Sequence, residues 1–155
     1  MKMMSTTAKS TTVSVERISP NVLDINMSFN NRSDLNQWFL LSSDRHWDNP
    51  HSDWKLQKKH LDLAKERNAK ILDFGDLFSV VNTAVDWFSP YADMFALVSE
   101  GNHESAIRRN HETDLIERFV SALNYKNGTH LTRGLYTGWV RFRFKRMNSG
   151  VKGTS

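Results

Sequence analysis

The chain contains no cysteine. That excludes a disulfide framework, a thiolate metal site and a cysteine nucleophile, so any metal must be held by His, Asp, Glu or Asn. Long apolar runs are missing as well. Uncharged apolar stretches reach only a few residues, too short to span a bilayer. Met1 to Thr12 is rich in Ser and Thr with two lysines and lacks the apolar stretch of a signal peptide, which argues against secretion and for a cytoplasmic protein. In that setting the sequons at Asn26, Asn31 and Asn127 read as chance matches. A strong charge of one sign is also lacking: 21 Lys and Arg face 17 acids, a net +4. Much of the excess sits at Arg133, Arg141, Arg143, Lys145, Arg146 and Lys152. Such a cluster can touch phosphates, although a solvated strand face is the plainer reading.

What is present suits one domain, since 155 residues with 39% hydrophobic content can bury an ordinary core. Residues 1–12 read as a disordered leader and 13–155 as the domain. Val13 to Phe29 holds strand-like pieces broken at Pro20. Trp38 to Leu41 reads as a buried strand, followed by a helix over Asp53–Arg67 capped by Ser52, with Leu56, Leu63 and Ala64 on one face around His60. A second strand spans Lys70–Phe74, a helix Val80–Phe88, and a third strand Met94–Val98. Thr113–Leu123 is helical, with Leu115, Ile116, Phe119, Val120 and Leu123 on its buried side. From Trp139 to Arg146 apolar and basic residues alternate with period two, the pattern of a half-buried strand, paired in this reading with the Thr129–Leu135 region as a hairpin. Strands alternating with helices predict an α/β layered fold.

The chemistry gathers after the three strands. Asp44-Arg45-His46 follows the first, Gly75-Asp76 the second, and Gly101-Asn102-His103-Glu104 the third. In an α/β sheet the carboxyl ends of the strands share one edge, so these residues converge. Two carboxylates, two imidazoles and an amide oxygen suit divalent cations of the Mn, Fe or Zn type.

In that order the three segments resemble the D-x-H, G-D and G-N-H-E/D signatures of calcineurin-like metallophosphoesterases, and the text around Leu72–Phe78 and Gly101–Ile107 is similar to the phage and prophage branch. The resemblance runs from about Phe39 to the C-terminus. It implies a partial fold of that family, the first half of a four-layer αββα sandwich. It implies hydrolysis of a phosphomonoester or phosphodiester, with nucleic acid or a nucleotide a candidate substrate, by a metal-activated hydroxide with two divalent transition-metal ions, Mn foremost and Fe or Zn the alternatives. Asp44 and His46 would bind the first ion, Asp76 would bridge both, and Asn102 would bind the second. His103 would act on the leaving-group oxygen. Arg108 and Arg109, just beyond the motif, are candidates for contacting substrate phosphate.

The sequence departs from the family after Asp76, where Leu77-Phe78-Ser79 replaces a further acid or amide. It also has no late G-H-x-H motif: after His103 come only His111 and His130. The second metal site is therefore expected to be incomplete, the chain an N-terminal portion with weak activity, and the open face of its sheet a surface for self-association. The missing half would cover the other face of the first sheet, so without it apolar surface on Trp139, Phe142 and Phe144 is expected to be exposed or buried in a dimer. The competing reading is a silent protein of the same fold that binds nucleic acid through its basic C-terminal strand. His51, His60, His111 and His130 read as surface or helix-face residues, Trp38, Trp54, Trp87 and Trp139 as core or half-buried packing, and Trp47 as a candidate to line the cleft beside His46.

Overall fold

The computed structural model describes residues 11–147. The predicted leader lies outside them except for Thr11 and Thr12, and Thr12 already opens the first strand. The hairpin of β1 (Thr12–Ser19) and β2 (Val22–Phe29) turns at Pro20-Asn21, where a missing N–H costs nothing. There follow β3 (Phe39–Ser42), α1 (Trp54–Glu66), β4 (Lys70–Asp73), α2 (Val81–Phe88), a 3-10 helix (Ser89–Met94) and β5 (Phe95–Val98). The chain continues through α3 (Asn102–His111), α4 (Leu115–Asn127), β6 (Thr132–Arg133) and β7 (Trp139–Arg146). Among the described residues, no helix is long and apolar enough to cross a membrane.

The fold is mixed α/β. Strands β3 to β6 form a parallel sheet in sequence order, and β1, β2 and β7 form a second sheet in which β7 runs parallel to β2. Sequential parallel strands joined by right-handed crossovers must carry all their helices on one face. That face buries Leu61, Ala64, Val85, Phe88, Ile116, Phe119 and Leu123 against Ile71 and Val98. Alternation sends Leu72 to the opposite face, and an irregularity in the β4–β5 register, where Ile71 faces Phe95 but Leu72 faces Leu97, leaves Ala96 and Leu97 both on that side, where they meet Leu23 and Ile25 of the second sheet. The order of layers is helices, parallel sheet, second sheet.

Three expectations are corrected here. The parallel sheet is covered by the chain's own N-terminal hairpin and β7. Strand β7 does not pair with the Thr129–Leu135 region: Thr132–Arg133 joins β5 and β7 joins β2, a non-local pairing that no local pattern encodes. Helix α1 buries Leu61 and Ala64 while Leu56 and Leu63 stay exposed, and its cap is Asp53, whose carboxylate accepts from Leu56 N at 2.9 Å. Of the tryptophans, Trp38 and Trp54 are half-buried and Trp87 is packed, stacked on Trp47 at 5.4 Å, as expected, whereas Trp139 is 74% exposed. Strand β7, expected to be half-buried, is mostly exposed: Phe142 and Phe144 face solvent, with Phe142 reaching Phe39, and Val140 alone of its residues packs against the inter-sheet core.

One charge is sealed between the helices and the parallel sheet. Asp73 is fully buried at the end of β4, accepts from Ser42 Oγ at 2.6 Å and Gly75 N at 3.2 Å, and lies 3.5 Å from Arg45 Nε. Burial pushes its carboxyl up to about 6, against the pull of Ser42 and Arg45. The native state then binds a proton that the unfolded state, titrating near 3.9, has released. This contribution to stability is complete below about pH 4 and is lost as pH rises through 6. Urea denaturation of wild type and Asp73→Asn across pH 4–7, in chelator, should show the wild type losing ground to the variant as pH rises; parallel profiles would contradict it.

Candidate functional site

The loops after β3, β4 and β5 are laced together by backbone before any side chain is considered. Asp44 N donates to Gly75 O at 3.0 Å, His46 N to Asp76 O at 3.0 Å, and Trp47 N to Leu77 O at 3.1 Å. Asp44, His46 and Asp76 all have positive φ, between 37° and 53°. Asp and His are among the side chains that tolerate that region, which helps explain why these types stand there. The two other non-glycine residues with positive φ, Asn68 and Glu112, are ordinary helix ends.

The β4 and β5 loops cross so closely that neither crossing residue has room for a side chain. A Cβ on Gly75, itself at φ 106°, would lie 2.4 Å from Gly101 N, and one on Gly101 would lie 2.6 Å from the Asp76 carboxylate. Helix α3 begins directly after this crossing, so Asn102 and His103 stand in its first turn, not in a loop. His103 N donates to Asp76 Oδ1 at 2.8 Å, a charge-assisted bond at a helix N-terminus.

Glu104 holds the crossing together. It is 1% exposed, and its carboxylate accepts from Asp76 N (3.0 Å), Leu77 N (2.9 Å) and Gly101 N (3.0 Å). Sequence reasoning quoted this residue without giving it a task; the available signal was an acid three positions into a helix that starts at a glycine. Asp48 was missed outright. Its Oδ2 accepts from Ser79 N and Val80 N, each at 2.7 Å, and so anchors the entrance of α2 to the loop after β3. Ser52, expected as a cap, donates instead to His46 O at 2.7 Å.

Of the predicted residues, His46, Asp76 and His103 come together. The two imidazoles meet edge to face with centroids 5.7 Å apart, over an open depression shared with Asp48, Asn49, Pro50, Ser79 and Val80. His103 Nδ1 is buried without a hydrogen-bond partner among the described residues. The Asp44 carboxylate is exposed and accepts from Ser43 Oγ, and Asn102 is exposed at the helix start. Among the described residues no group of three or more His, Asp or Glu is already arranged around a common point for a cation. In donor chemistry the set does fit one: carboxylate, imidazole and amide on one edge, with the His103 Nδ1 left without a hydrogen-bond partner. Arg108 Nε lies 2.9 Å from the buried Glu100 carboxylate, and Arg109 is exposed on the last turn of α3. Helical rise puts both arginines about 9 Å along the axis from Asn102. Trp47 is stacked on Trp87 and packs against the helical core instead of lining the depression. The four remaining histidines are exposed, as expected.

Compared with known proteins, the chain matches no family model, no curated protein and no solved structure.

The Glu104 clamp can be tested directly. Glu104→Gln leaves one acceptor for three amides and turns an NH2 group toward a donor. Loss of a charged, buried hydrogen-bond set costs about 2–3 kcal/mol, readable by urea denaturation. Hydrogen exchange should show the amides of Asp76, Leu77 and Gly101 losing protection relative to those of α4. Unchanged protection at these three amides would show that the clamp does not hold the loops.

Proposed function

We propose that the chain is a metal-dependent phosphoesterase of the calcineurin-like kind, its layers corresponding to the first part of an αββα sandwich. The observation that carries this reading is the lacing of Asp44 to Gly75, of His46 to Asp76 and of Asp76 to His103 at the carboxyl edge of a parallel sheet, where α/β folds bind their ligands. Asp44 and His46 would hold one cation, Asp76 both, and Asn102 the second. When bound, such cations supply an ionised water at neutral pH and offset charge on phosphoryl oxygens.

The protein's own part is positional. The Glu104 clamp and the Gly75–Gly101 crossing fix the Asp76 backbone, and the bond from His103 N to Asp76 Oδ1 fixes where the first turn of α3 sits against that carboxylate. His103 lines the depression, with Nδ1 buried and unpartnered, and is the group assigned to donate a proton to the leaving oxygen. Only Asp76 and Asn102 serve the second cation in this set, so it should bind weakly and turnover should be slow.

The nucleic-acid reading of β7 draws less support. Asp24, 2% exposed, accepts from Arg141 Nε at 2.6 Å and from Arg143 Nε at 2.5 Å, so two of the strand's cations are already engaged.

Two measurements test the proposal. In Mn titration by calorimetry, Asp76→Asn should lower affinity more than substitution of Asp44, His46 or Asn102, because that carboxylate serves both ions; equal binding by wild type and variant removes the metal. Hydrolysis of a chromogenic phosphodiester should be slow and Mn-dependent. His103→Ala should take it to background while leaving Mn affinity nearly intact, whereas joint loss of metal and turnover would make His103 a ligand instead of an acid.

A further inference from the structure

On the other side of β4 and β5 from the helices, a groove of about 290 Å³ opens between the two sheets at the same carboxyl edge. Leu23, Leu97 and Val140 of the inter-sheet core form apolar walls. Three large aromatics stand at it while exposed to solvent: Phe74 at 46%, Tyr136 at 61% and Trp139 at 74%. Single exposed aromatics need no explanation, but three around one concavity do. Ser99 and Thr132 add hydroxyls to the lining, and Arg17, held by the carbonyls of Ser19 and Pro20, brings a positive charge. Apolar walls, aromatic faces and a few polar groups suit a flat, polar-edged ring bearing negative charge.

The groove is next to the candidate centre by covalent connection. Phe74 precedes Asp76 by two residues, so their Cα atoms are at most about 7 Å apart. Ser99 leads through Glu100 to the Gly101 crossing against Asp76. Strand alternation turns Asp73 toward the helices and Phe74 toward the groove.

We propose that this groove binds the base of a nucleoside phosphate whose phosphate reaches Asp76 and His103, which makes nucleotide-type esters the substrate class. The substrate assignment rests on the phosphoesterase reading; binding of the base does not. Calorimetric titration of the full chain in chelator with AMP, ribose 5-phosphate and a tetraadenylate tests it. AMP should bind at least tenfold more tightly than ribose 5-phosphate, since stacking of one base contributes about 1–3 kcal/mol. Trp139→Ala and Tyr136→Ala should each weaken AMP about tenfold, and Tyr125→Ala, on the 94% exposed residue of α4, should leave it unchanged. A tetraadenylate tighter than AMP assigns the base to the end of a strand, and equal affinities assign it to a free nucleotide. AMP no tighter than ribose 5-phosphate, or unaltered by both substitutions, overturns the groove. AMP binding intact with no Mn-dependent hydrolysis overturns the phosphoesterase reading and leaves the groove standing.

Discussion

The Glu104 carboxylate is the contact on which the candidate site depends. Two loops from neighbouring parallel strands arrive at the sheet edge with amides that no ladder can satisfy, and burial without partners would cost about 1–3 kcal/mol for each. One buried carboxylate takes Asp76 N, Leu77 N and Gly101 N together. Its charge is tolerable there because it stands in the first turn of α3, where the helix dipole is positive. The two glycines are the steric counterpart: the loops approach so closely that only residues without a Cβ fit at the crossing. Asp76 is thereby held from three directions, through its own amide, through its carbonyl to His46 N, and through its carboxylate from His103 N.

A second tier of buried charge supports the first. Asp73 and Arg45 lie just beneath the loops, and Arg45 O accepts from the Gln57 side chain of α1 at 2.7 Å. The loop after β3 is thus tied to β4, to α1 through Gln57, and to the entrance of α2 through Asp48. An ion pair so placed is weak evidence for stability, since desolvation offsets much of the attraction. What it does provide is direction. Arg45, between the two predicted ligands Asp44 and His46, turns inward and leaves its neighbours at the edge.

How much of this was legible follows from how local each signal is. The runs at Phe39–Ser42, Lys70–Asp73 and Phe95–Val98 announce strands because each is a short apolar segment stopped by turn residues, although the first, read as buried, is an edge strand with Leu41 61% exposed; the five buried side chains of α4 fall on one helical stripe. The site residues were legible for the same reason, each standing just after such a run. Helix α3 was not, because Gly101-Asn102-His103 reads as a strand stop and its remaining surface is polar. Leu61 and Leu63 of α1 look alike in sequence, but only Leu61 meets the core, and packing partners from distant segments decide that. The role of Glu104 was hidden because its partners are amides 27 and 28 residues away as well as its own neighbour.

The pairing of β2 with β7 is the least legible feature and shows how a distant register is specified. Period two in β7 sets which residues share a face and says nothing about the partner strand. Asp24 supplies the missing information. It stands opposite Arg141 in the parallel register and reaches diagonally to Arg143, while the guanidinium of Arg141 holds its carboxyl below the usual range. A slip of one residue would turn Val140 out of the inter-sheet core and Phe142 away from Phe39, and direct arginines toward Phe39 and Ile25. Apolar alternation therefore forbids odd slips, and the single acid on that face of β2 opposes a slip of two, which would move it away from one of its arginines. Strands β2 and β7 are locked in one sheet by a charge pattern that each carries only in part, and the groove between the sheets has fixed walls because of it.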